Sequence, residues 1–334
     1  MLYCFMNNEQ MTKRSFTMVT FFIILGAVLG VFLILLVAAL LYFLKFGIVR
    51  DPSREGFYYN RDHAEKYCPP QFVDKIVAGA SWIHDFPAED LYMTSFDGLK
   101  LHGRLFEKEN ARATFIMCHG YRSSGYNDFS CIAKFLFDNN CNLLIIDQRS
   151  SNGSEGKYIG MGVLERYDCR DWAKLISERY PKKPIILSGV SMGASTVLMA
   201  TGLELPKEVV GVTADCGFTS PRKIFTKVMK QSFKVAPRFF MALMTLLIKI
   251  VAKYDANYSA EDALSQNKLP LIISHGKADD FVPFYMSEQN IAAAQNCEVK
   301  FITADKAEHA QTYLYKEDEM NAAILEMLDK YTTV

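Results

Sequence analysis

Short apolar runs and longer stretches of helical periodicity take turns along most of this chain. Residues 91–95 and 99–106 flank Phe96-Asp97-Gly98, and an Asp-Gly pair between two strand-like runs predicts a hairpin. Residues 114–118, 142–147, 184–188, 209–215, 271–275 and 298–303 are short, largely apolar runs containing β-branched residues, and they read as buried strands. Helical spacing marks residues 129–139, 162–180 (ended by Pro181) and 317–330, and residues 194–200 form a helix-compatible run of small side chains. This alternation predicts an α/β fold: a mostly parallel sheet with helices on both faces. Within the long connection at about 221–262, residues 239–251 are strongly apolar, interrupted only by Lys249. Lying between two core strands, on the side where ligands enter such sheets, this insertion is expected to form a helical cap.

Residues 18–44 carry no charge and are almost entirely apolar. At about 1.5 Å per residue such a helix reaches about 40 Å, enough to cross a hydrocarbon core of about 30 Å with some tilt. A cleaved signal would have a shorter apolar region, and here the run continues past Val37-Ala38-Ala39. The expected organisation is a tail (1–17), a retained transmembrane helix (18–44), a juxtamembrane connector with some helix (45–90) and an α/β domain (91–334). In the connector, Tyr58, Tyr59, Pro69 and Pro70 stand among mixed charges, and Trp82 and His84 read as packing or interfacial residues. Gly26 and Gly30 form a G-x-x-x-G, a weak signal for a homodimer through the helix. Lys13 and Arg14 on one flank nearly balance Lys45, Arg50 and Arg54 on the other. The short tail favours a single-pass cell-membrane protein with its main domain on the outer face, while free cysteines favour the opposite.

The formal charge is zero, with 37 basic and 37 acidic residues, and no run of like charge stands out, so no nucleic-acid footprint is present. The eight cysteines form no C-x-x-C or other zinc-ligand spacing; Cys118, Cys141 and Cys216 fall in expected elements and read as buried thiols. No metal or cofactor is implied.

Gly189-Val190-Ser191-Met192-Gly193 fits G-x-S-x-G, with a strand before it and a helix after it. That context marks a nucleophile elbow, whose strained turn needs neighbours with little side chain. A serine hydroxyl needs an adjacent base and the base an orienting acid, in the chain order Ser, Asp or Glu, His. Only His275 and His309 follow Ser191. His275 ends a strand and reads as structural, which leaves His309, in the loop before the last helix, as the base. Asp279 is chosen as the acid over its neighbour Asp280, with Asp215, at the end of an earlier strand, as the outside candidate. The backbone N–H groups of Met192 and of Tyr121, in the turn His119-Gly120-Tyr121, are assigned to the oxyanion hole. His119 itself reads as structural.

Together with Thr94 to Leu101, Asp147-Gln148-Arg149 and Ala214-Asp215-Cys216, these residues resemble the α/β-hydrolase superfamily. The similarity is closest to bacterial membrane-anchored members of the serine aminopeptidase and acylglycerol-lipase group. The resemblance implies cofactor-free hydrolysis through an acyl-enzyme, with Ser191, Asp279 and His309 matching the family triad. It departs after Asp-Gln-Arg, where Ser151 and Asn152 replace the usual His and Gly. The expected function is a membrane-anchored serine hydrolase cleaving ester or thioester bonds of a small lipophilic acyl substrate. An aminopeptidase-like activity, with Glu155 holding a free amine, and a non-catalytic membrane-anchored binding protein are the competing readings.

Overall fold

Eight strands pair into one sheet: β1 (Glu89–Thr94), β2 (Lys100–Phe106), β3 (Ala113–Cys118), β4 (Cys141–Ile146), β5 (Ile185–Val190), β6 (Val209–Asp215), β7 (Leu271–Gly276) and β8 (Val299–Ala304). Their order across the sheet is β1-β2-β4-β3-β5-β6-β7-β8. β1 and β2 form the hairpin anticipated at Asp97-Gly98, β2 runs antiparallel to β4, and every other pairing is parallel. β3, β4, β5 and β7 are buried along their whole length, as expected of strands covered on both faces.

This computed structural model describes residues 2–54 and 60–332; Tyr58 and Tyr59 lie outside them. The chain divides into two units after residue 47. The first is occupied by helix α1 (Leu2–Ile48), which continues through the residues expected to form a tail. Its stretch Phe16–Ile48 is long and apolar enough to span a bilayer, with a mean hydropathy of 3.1 in its best window and none of that window buried.

The second unit holds the sheet and the remaining helices: α2 (Arg61–Tyr67), α3 (Val73–Asp85), α4 (Gly125–Asp128), α5 (Ala133–Asp138), α6 (Glu165–Arg179), α7 (Met192–Ala200), α8 (Pro221–Phe233), α9 (Arg238–Val251), α10 (Ala260–Leu264), α11 (Tyr285–Ala293), α12 (Thr312–Tyr315) and α13 (Glu317–Thr332). Residues 73–86, expected to belong to a connector, are instead part of the core. Val73, Ile76, Ala80 and Ile83 recur at helical spacing and are buried on one side of α3. Trp82 and Phe86 pack with Phe106 and Phe137, and a Cβ on Gly79 would overlap the Ser130 carbonyl. The expected reading of Trp82 as a packing residue agrees with this. The seven cysteines whose side chains are described are all free thiols.

Two of the matching sequence stretches are joined by one arginine. Arg149 donates Nε to Asp168 Oδ2 and Nη2 to Asp168 Oδ1, both at 2.7 Å, and its remaining donors reach both oxygens of Asp97. It therefore fastens the β1–β2 turn to α6, and Arg149 and Asp168 are both buried. Replacing Arg149 with Met would strand the Asp168 charge in the interior. A loss of about 3–5 kcal/mol is expected from such a broken pair, read as a lower denaturant midpoint in equilibrium unfolding.

Candidate active site

The sequence-assigned residues gather where the parallel strands end. The loops after β3, β4, β5, β6, β7 and β8 all leave the C-terminal edge of the sheet, the side where open α/β sheets form a crevice. Ser191 lies between β5 and α7 with φ 56° and ψ −114°, a left-handed backbone that a side-chain-bearing residue adopts only under constraint. The constraint is close packing: a Cβ on Gly193 would overlap the Cys118 carbonyl, and one on Gly189 the Gly193 carbonyl. The Ser191 N–H donates to the Asp215 carbonyl at 2.8 Å, and its own carbonyl accepts from Ser195 N–H. Arg122, Cys216 and Ala310, each in or beside these loops, also have positive φ.

His309 Nε2 lies 2.9 Å from Ser191 Oγ, and His309 Nδ1 lies 2.7 Å from Asp279 Oδ2. With Asp279 ionised, Nδ1–H donates to the carboxylate, which leaves Nε2 to accept the serine proton. Asp279 Oδ1 accepts the N–H groups of Phe281 and Val282, each at 2.8 Å. Burial acts to raise the Asp279 pKa. Hydrogen bonds from His275 and His309, the His309 charge and the Val282 N–H outweigh it and hold the carboxyl well below the usual carboxylate range.

His275, read as structural, proves to be a second partner of that carboxylate. Its Nε2 faces the Val282 carbonyl at 2.9 Å and Asp279 Oδ2 at 3.2 Å, two acceptors, so this nitrogen carries the proton. Nδ1 then accepts from Ser287 Oγ at 2.6 Å. No sequence signal other than the i, i+4 spacing from His275 to Asp279 points to this contact. The alternatives for the acid are placed elsewhere: Asp280 is exposed, and Asp215 accepts from Ser274 Oγ at 2.7 Å.

The Gly120 N–H donates to Asp128 Oδ2 at 2.6 Å, and Ser123 Oγ donates to Asp128 Oδ1, so one half-buried carboxylate shapes the loop that carries Tyr121. Met192 is the first residue of α7, where N–H groups have no intrahelical acceptor. His119 is buried and both its nitrogens are engaged: Nε2 accepts from Gln148 N–H at 3.1 Å, and Nδ1–H donates to the Gly120 carbonyl. Gln148 in turn donates to the His119 carbonyl and accepts from Thr196 Oγ1, which ties the loop to α7.

The insertion reaches the loop after β7. Lys227 of α8 donates to the Phe281 carbonyl at 2.9 Å, and the Phe281 ring meets that of His309 edge to face at 5.0 Å. Beside His309 a cavity of about 140 Å³ is bordered by Ile76, Asn127, Asp128, Asp215 and Tyr313, and is roomy and polar enough for ordered water. Cys216, Asp279 and His309 present ligand atoms within 4.8 Å of one another. Burial pushes the Cys216 thiol well up, and Asp279 Oδ2 and His309 Nδ1 face each other at 2.7 Å. Glu155 accepts the Lys100 backbone N–H at 2.9 Å and so bridges the hairpin to the loop after β4.

Residues 109–257 match the model of a family described as serine aminopeptidase, S33. Among curated relatives, the uncharacterized protein YfhR of Escherichia coli O157:H7 is 24% identical over 262 residues, covering 74% of this chain and 83% of that protein. Among solved structures, the Pyrococcus furiosus esterase Pf2001 superposes with a TM-score of 0.58 at 24% identity, over 74% of this chain and 92% of that one. The esterase EaEST from Exiguobacterium antarcticum gives 0.54 at 15% identity, over 72% and 100%. These structures share the fold.

Because the folded state depresses the Asp279 pKa, its ionised form stabilises the protein above the ordinary carboxylate pKa of about 4, and this contribution fades as the pH falls below it. For Asp279→Asn, the deficit in unfolding free energy relative to the parent is therefore expected to be largest near neutrality. It should shrink between about pH 5 and about pH 2, as measured by urea unfolding at each pH.

Proposed function

We propose that this chain is an α/β hydrolase, a membrane-anchored serine hydrolase that cleaves ester or thioester bonds of lipophilic acyl substrates; the family match over residues 109–257 and the shared fold support the reading. The observation that carries the reading is the hydrogen-bonded series Ser191–His309–Asp279 at 2.9 and 2.7 Å, with the serine on a left-handed strand-to-helix turn. Ser191 Oγ attacks the acyl carbonyl while His309 Nε2 takes its proton. The tetrahedral oxyanion is held by the N–H groups of Tyr121 and Met192. Its collapse breaks the bond to the alcohol or thiol, which leaves with the proton from His309. Water then attacks the acyl-serine, His309 takes the water proton and returns it to Ser191 Oγ, and the acid is released. Asp279 holds the imidazole in the required tautomer throughout, and His275 positions Asp279.

The anchor is the apolar stretch Phe16–Ile48 of α1, retained as a single span with the catalytic unit on the outer face of the cell membrane. The lipophilic preference rests on that span and on the apolar cap. A peptidase reading draws on the description of the matching family, yet the Glu155 carboxylate it needs for a free amine is engaged by the Lys100 N–H.

A fluorophosphonate probe is expected to label the parent chain and to leave Ser191→Ala unlabelled; labelling that persists without Ser191 removes the proposal. His309→Ala should lower turnover of a soluble ester on the order of a million-fold, and Asp279→Asn about ten-thousand-fold, as in comparable triads. Across aryl esters of increasing chain length, kcat/KM should rise from acetyl to octanoyl, and a preference for acetyl would refute the lipophilic assignment.

A further inference from the structure

The cap has a composition unlike the rest of this neutral chain. From Cys216 to Tyr254 there are eight Lys and Arg residues and no Asp or Glu. The excess escapes a search for charge runs because the basic residues are spread along two helices. Ser220 accepts from the Lys223 N–H to cap α8, Lys234 ends the helix in a left-handed conformation, and α9 starts after Pro237. Five of the basic residues (Lys230, Lys234, Arg238, Lys249 and Lys253) are exposed and make no ion pair among the described residues.

The helix α9 is apolar on two sides. Met241, Met244, Thr245 and Ile248 are buried against the protein. On the opposite side Phe239, Leu246 and Ile250 are 66%, 53% and 58% exposed, and Phe233 and Val235 at the turn between the helices are 53% and 60% exposed. A helix apolar all round is ordinarily enclosed, and one whose free apolar face is rimmed by Lys and Arg has the pattern of a segment lying in a lipid interface.

The first residues of this unit are paired with the loop after β4 and with the loop that carries Tyr121. The candidate span ends at Ile48, whose carbonyl already accepts the Ile159 N–H at 2.7 Å. Val49 bridges Tyr158, and the Arg50 N–H donates to the Lys157 carbonyl. The Arg50 guanidinium donates to the Asn152 and Ser154 carbonyls, and Arg122, next to Tyr121, donates to the Val49 carbonyl.

We propose that the α8–α9 hairpin is a membrane-docking cap. Its exposed apolar residues enter the boundary between headgroups and acyl chains, and its unpaired basic residues bind anionic headgroups of the membrane that holds α1. The proposal rests on the reading of Phe16–Ile48 as a retained span, and the test separates the two.

Full-length Leu246→Trp, with Ile250→Trp as a second reporter, is reconstituted into vesicles of phosphatidylcholine with or without phosphatidylglycerol, doped with a doxyl-labelled lipid quencher. Fluorophosphonate labelling verifies that each variant is folded, and Glu326→Trp, exposed on α13 outside the cap, is the control. Quenching of the cap reporters is expected to exceed the control about twofold or more in anionic vesicles and to weaken without phosphatidylglycerol. Combined Lys230→Glu, Lys234→Glu and Arg238→Glu should return it to the control level. Equal quenching at the cap and control positions would overturn the proposal. So would a cap emission shift that follows protein density and ignores the lipid quencher, which would assign the face to a second copy of the chain. Alkaline carbonate extraction reports on the span alone: a parent chain that stays in the membrane without cap quenching refutes docking and spares the anchor. A parent chain released by carbonate refutes the anchor and, with it, the docking proposal.

Discussion

The left-handed backbone at Ser191 is the constraint around which the site is assembled. A turn of that shape between β5 and α7 survives only because the helix start is pressed against β3 so closely that Gly193 has no room for a side chain over the Cys118 carbonyl. The same closeness brings the loop after β3 beside the serine, where a Cβ on Gly120 would lie 3.3 Å from Ser191 Cβ. Strain at one residue is thus maintained by packing along two strands and a helix, and its return is a hydroxyl projected from the sheet edge.

Around that point the polar groups are arranged so that each loop is held by a charge from elsewhere. Asp128 sets the loop after β3, Arg149 joins the hairpin turn to α6, and Asp279 gathers two backbone N–H groups and two imidazoles. Loops are usually the loosest parts of a domain, and here they carry the buried ion pairs and carboxylates. Rigidity is placed where the reacting groups are, at the expense of desolvating several carboxylates.

The parallel strands were legible because strands covered on both faces must be apolar without alternation, and the gathering of Ser191, Asp279 and His309 because the chain order of the motifs admits few alternatives. The rule that neighbouring side chains point apart allows only one of Asp279 and Asp280 to face an imidazole, and it is Asp279 that meets His309. The core role of α3 was hidden because its stripe Val73, Ile76, Ala80 and Ile83 is short, interrupted by charges, and adjacent to an apolar stretch that dominates the region. His275 reads as an ordinary strand-end residue until the turn that follows it curls back to bring Asp279 within 3.2 Å. The charge of the cap was present in the sequence, but its spacing concealed it, and the exposure of Phe239, Leu246 and Ile250 depends on which side of α9 the rest of the molecule covers.

The short antiparallel pairing of Ile48–Arg50 with the segment at Lys157–Ile159 has a consequence for the loop after β4. The Arg50 guanidinium donates to the Asn152 and Ser154 carbonyls, so the stretch in which Ser151 and Asn152 depart from the family pattern is clasped by an arginine 102 positions before Asn152 and 104 before Ser154. Its conformation is set from outside its own sequence.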